Sequence, residues 1–147
     1  MDDLEIAKRL LSEEGFSLAI VKSGKAIYTA NNHGVKSFLD AIEKHGDELA
    51  GSTVADRVVG VAVAMLCKYS KIKKVYGGVM SIKALEKLLE SGIITQYGML
   101  VPEILDSSRI KTCPLERIAA SCKDEVEFYE KCFYFSRSRK TWSRLFF

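Results

Sequence analysis

Apolar positions recur along this chain at two spacings, and together they predict an alternation of helices and short strands. Leu4, Ala7, Leu10 and Leu11 fall on one side of a first helix that Asp2 or Asp3 can cap and Glu13-Glu14-Gly15 ends. Phe16–Val21 and Ala26–Thr29 are strand-like runs around Lys22-Ser23-Gly24-Lys25, a hairpin signal in which Gly24 supplies the positive φ of the turn. After the loop Asn31–Gly34, Val35, Phe38, Leu39 and Ile42 give a second amphipathic helix closed by His45-Gly46. The most apolar stretch, Gly51–Ser70, carries Ala55, Val58, Val59, Ala62, Val63 and Leu66 at helical spacing, with Val54, Val61, Ala64 and Met65 on the other side. A helix apolar all round is buried on every side, and this one is too short and too interrupted to span a bilayer. It predicts a central core helix.

Beyond it, Ile72, Val75 and Tyr76 mark a short strand followed directly by Gly77-Gly78. Ser81 caps the next helix, with Ile82, Leu85, Leu88 and Leu89 inward and Gly92 at its end. Ile93–Tyr97 predicts a further strand, and steps this short imply a parallel crossover. Cys113-Pro114 opens a helix to about Ser121, with Cys113 as its cap. Asp124-x-x-Glu127 opens a last helix with Val126, Tyr129 and Phe133 inward and Cys132 a further candidate. A hairpin feeding a parallel crossover gives a mixed sheet with helices on both faces, an α/β fold of three-layer α/β/α sandwich type. Residues 1–135 form the domain, and 136–147 a basic, aromatic tail.

Composition refines this picture little: 147 residues, 48% hydrophobic and 28% charged, suit one globular domain. Charge changes it more. Arg137, Arg139, Lys140 and Arg144 lie in the last twelve residues, and taking those four from the formal +3 leaves the rest at −1. The folded body is therefore not expected to bind nucleic acid. The N-terminal segment is a charged helix rather than a secretion leader and no run spans a membrane, so a cytoplasmic protein without membrane contact is expected. Its four cysteines are spaced as free thiols. His33 and His45 fit no zinc template, and no metal or other cofactor is expected.

Three predicted helix starts are candidates for chemistry, because backbone N–H groups and the dipole there favour anions. Thr53-x-x-Asp56 reads as a capping box, or Asp56 is a carboxylate at a pocket mouth; Arg57 is either a solvated charge or the group that keeps Asp56 ionised and binds an anion. Gly77, Gly78 and Ser81 form a strand-to-helix turn that a ligand can approach closely, although no nucleotide-binding glycine motif is present. Cys113 at a helix start would favour the thiolate, with Glu116 able to exchange a proton; the plainer reading is a small buried cap and a first-turn acid. Cys67, Cys122 and Cys132 fit helix faces as core residues.

The segments VADRVVG, VYGGVMS and TCPLE resemble a small uncharacterised family with a cytidine-deaminase-like fold, over about Leu4 to Ser121. The resemblance implies a helix–strand–helix unit that in deaminases bears zinc, opening with His/Cys-x-Glu and Pro-Cys-x-x-Cys. Here the corresponding openings read Ala55-Asp56-Arg57 and Met80-Ser81-Ile82-Lys83, so zinc-dependent deamination is not expected. The resemblance also implies that Asp56, Arg57, Gly77, Gly78 and Ser81 line a pocket joined by Cys113 and Glu116. Three functions stay open: a module binding a small anionic or nucleotide-like ligand, a metal-free enzyme using Cys113 with Asp56 or Glu116, and an interaction module acting through the tail. Self-association into a homo-oligomer is open as well.

Overall fold

The computed structural model describes residues 1–32, 34–105 and 114–136. Helix α1 (Asp3–Ser12) starts where Asp2 Oδ1 accepts the Glu5 N–H at 2.9 Å. Strands β1 (Leu18–Lys22) and β2 (Lys25–Ala30) form the expected antiparallel hairpin. Both turn residues are left-handed, Ser23 at φ 52° and Gly24 at φ 80°, the geometry that matches the strands' own twist. Helix α2 (Gly34–His45) and a 3₁₀ turn (Gly46–Leu49) lead to the centre of the molecule.

There the expected core helix divides. Thr53–Val59 is a strand, β3, and only Val61–Tyr69 is helical, as α3, with Gly60 extended between them. The local chemistry explains the division: Thr53, Val54, Val58 and Val59 are β-branched, and the run lies between Gly51 and Gly60. A central strand buried on both faces is a continuous apolar run, and spacing alone does not separate that from a buried helix. The capping box at Thr53 and Asp56 therefore does not exist.

Strand β4 (Lys74–Ser81) runs straight through Gly77-Gly78, where a turn is expected from the sequence. Helix α4 (Ile82–Glu90) follows, capped by Ser81 as expected, and Gly92 lies beyond it at φ 76°. Strand β5 (Ile94–Val101), helix α5 (Pro114–Ser121) and helix α6 (Glu125–Ser136) complete the chain. Asp124 caps α6, accepting the Glu127 N–H at 2.9 Å. Along α6 the inward residues are Phe128 and Cys132, both fully buried, whereas Val126 and Phe133 are exposed.

The five strands form one mixed sheet in the order β2-β1-β3-β4-β5, with β3, β4 and β5 parallel and β1 antiparallel to both its neighbours. α1 covers one face through Ala7 and Leu11, packed on Ala19, Val21 and Ala55. The larger core on the other face gathers Phe38, Leu66, Met80, Leu88, Leu115 and Phe128 from α2 to α6. Val54 and Val59, five positions apart, both belong to this larger core, as do Val75 and Met80. Side chains alternate along a strand, so each strand changes face once in between. Because β2, β3 and β4 point the same way, α2, α3 and α4 all begin at one edge of the sheet.

Candidate functional site

The start of α3 decides the character of that edge. A helix leaves its first N–H groups without intrahelical partners, and Gly60, the cap residue, has no side chain to satisfy them. Glu116, from the first turn of α5, does so instead: Oε2 accepts the Val61 N–H at 2.7 Å and Oε1 the Ala62 N–H at 2.9 Å. The carboxylate is 9% exposed and sits directly on Gly60, where a Cβ would fall 2.7 Å from Oε2. Burial pushes the Glu116 carboxyl above its usual range, against the opposing pull of the Ala62 and Val61 N–H groups. The site thus holds one anion, supplied by the protein itself, at the positive end of a buried helix.

Asp56 is elsewhere. It lies in the middle of β3, 2% exposed, beside Gly77 of β4. Its Oδ1 accepts the Val58 N–H at 3.2 Å and its Oδ2 has no hydrogen-bond partner. Burial pushes its carboxyl up to about 7, against the pull of the Val58 and Arg57 backbone N–H groups. Cys67 of α3 is close enough that Asp56 adds to the upward push that burial gives the thiol. Arg57 does not pair with Asp56: Nε donates to Phe16 O at 3.0 Å and Nη2 to Leu11 O at 3.1 Å, tying β3 to the end of α1.

The two glycines pack rather than cradle. A Cβ on Gly77 would lie 2.9 Å from Val59 Cγ2, and one on Gly78 would lie 2.9 Å from Arg57 O. Ser81 Oγ accepts the Ala84 N–H at 3.1 Å and is buried. Ser81 is four residues along β4 from Gly77, so about 13 Å of strand separates it from the level of Asp56. Asp56 lies within a strand and opens no helix, whereas Ser81 caps α4. Cys113 lies outside the described residues, as does His33. What the sequence reading missed is that Glu116 crosses 55 positions to cap α3 at Val61. Gly60 after a β-branched run was the available signal for the helix start; its partner had no local signal.

Residues 6–134 match the family described as a domain of unknown function, DUF1893, also named TM1506. The chain belongs to that family. A crystal structure of the DUF1893 family protein TM1506 from Thermotoga maritima superposes with a TM-score of 0.81 at 26% identity, over 90% of this chain and 88% of that one. The apo dCMP deaminase of cyanophage S-TIM5 superposes with a TM-score of 0.52 at 16% identity, over 66% of this chain and 99% of the deaminase, a likeness of fold. No curated protein matches the chain.

Zinc-dependent deaminases bear their metal at helix starts, and the described residues at the starts of α3 and α4 do not offer a ligand set for that ion. Catalytic zinc takes three protein ligands and a water. The start of α3 offers Gly60, Val61 and Ala62, whose N–H groups repel a cation, and one carboxylate with both oxygens already engaged. Ser81, at the start of α4, is engaged with its own helix. Among the described residues, no group of three His, Cys, Asp or Glu side chains is placed to hold a metal, and no helix is long and apolar enough to cross a membrane.

Proposed function

We propose that this DUF1893 protein binds a small anionic or nucleotide-like molecule where α3 and α4 begin, and that the ligand's anionic group competes with Glu116 for the Val61 and Ala62 N–H groups. The observation that supports this is the carboxylate already seated there, bidentate on backbone donors and pressed against a glycine. A buried helix start that receives a carboxylate has the geometry and dipole to receive a phosphate or a second carboxylate. Glu116 would then act as a tethered placeholder. Its raised proton affinity weakens its hold as pH falls, so ligand affinity rises toward mildly acidic pH. The metal-free enzyme reading has weaker support, because Asp56 is enclosed in the core and Cys113 lies outside the described residues.

Calorimetry and thermal shift with inorganic phosphate, CMP and dCMP, on the wild type and on Glu116→Ala and Glu116→Gln, test the reading. Tighter binding by Glu116→Ala than by the wild type is expected, with Glu116→Gln between them. Failure of all three folded proteins to bind any of these anions would overturn it.

A further inference from the structure

Among the described residues, α5 and α6 leave a groove open between them. Ile118, near the end of α5, lines one side. Glu127, Glu130, Lys131 and Tyr134 line the other, at i, i+3, i+4 and i+7 along one face of α6. The hollow measures about 440 Å³, within the range of sites that enclose a ligand. Its tyrosine, Tyr134, is 72% exposed. Lys131 Nζ lies 3.4 Å from Glu127 Oε1, so those two charges answer each other. Glu130 has no ion pair among the described residues. The groove therefore joins apolar surface to one unanswered negative charge.

We propose that the chain's own residues 137–147 fold back into this groove. Three features favour that occupant. The first is place. The segment begins where α6 ends, and from Tyr134 back to Glu127 is seven residues of helix, about 10 Å. An extended chain covers about 3.3 Å per residue, so residues 137–147 can reverse direction and still run the length of the groove. A segment tethered this closely meets its site at an effective concentration of about millimolar, so even a modest fit is occupied. The second is charge. Residues 137–147 hold four bases and no acidic side chain, against four acids and two bases from Lys123 to Ser136. The third is the apolar content of the segment: Trp142, Leu145, Phe146 and Phe147 all fall in the last six residues. Rings of that size gain most from a hollow that already offers an aromatic neighbour. α5 packs chiefly on α3, so a segment seated on Ile118 gives that helix a second support. This contact is separate from the anion site.

Trp142 is the one tryptophan of the chain, so its fluorescence reports the seat directly. In the full chain, emission shifted to the blue of the urea-unfolded value and reduced quenching by acrylamide are expected, both independent of protein concentration. Tyr134→Ala and Glu130→Lys, each at an exposed position, should return emission and quenching toward the unfolded values while circular dichroism stays that of the wild type. Amides of α5 should exchange faster in both variants. A wild type whose Trp142 is quenched as freely as in the unfolded chain would overturn the inference. Protection that survives both substitutions would overturn it too, by placing the segment elsewhere. Protection that grows with protein concentration would overturn it equally, by placing the segment on a second copy.

Discussion

The Glu116 carboxylate occupies the space that a side chain on Gly60 would need, and it bonds the two N–H groups that follow that glycine. The two residues are 56 positions apart and form one unit: the glycine makes room, and the acid caps the helix. Removing either damages the same contact.

Gly60→Ala should therefore destabilise the protein even though its backbone, at φ −106° and ψ −171°, suits alanine. The new methyl displaces a charge-assisted cap, a loss of about 2–3 kcal/mol in urea unfolding. In a Glu116→Ala background the same substitution should cost well under half as much. Equal costs in the two backgrounds would mean that the two sites are uncoupled.

Asp56 makes stability fall as pH rises. Folding raises its carboxyl from an ordinary 3.8 to about 7, so the folded state holds the proton more tightly than the unfolded one. Stability from this group is fully present below pH 4, is lost between about pH 4 and 7, and is level above; the span corresponds to a loss on the order of 4 kcal/mol. Glu116, also raised, adds to the same slope. Asp56→Asn should flatten the profile and raise Tm at pH 8 relative to the wild type, as scanning calorimetry across that range would reveal.

Arg57→Ala removes two bonds to backbone carbonyls at Leu11 and Phe16 and should cost about 1–2 kcal/mol. Its affinity for phosphate or nucleotides should equal that of the wild type. A selective loss of ligand affinity at unchanged Tm would assign Arg57 the anion-binding role expected from the sequence.

Thiol labelling should separate the cysteines. Cys67 and Cys132 are buried, and burial pushes the Cys132 thiol up to about 12. Both should react with alkylating agents only on unfolding, whereas the half-buried Cys122 should label in the native protein. Mass spectrometry of peptides after timed alkylation reads this directly.

Much of the architecture was legible because local chemistry agreed with it. Asp2, Ser81 and Asp124 cap helices where they stand, the Ser23-Gly24 turn closes a hairpin, and Ile82–Glu90 shows its apolar stripe in plain spacing. The sequence by itself determined these elements, since each depends on contacts within a few residues. Tertiary structure decided the rest. It made Thr53–Val59 a strand, because a run buried by neighbours on both faces carries no period of its own, and so removed Asp56 from any helix start. It brought Glu116 to Val61, because a cap drawn from another helix depends on how α5 packs on α3, and no spacing along the chain encodes that.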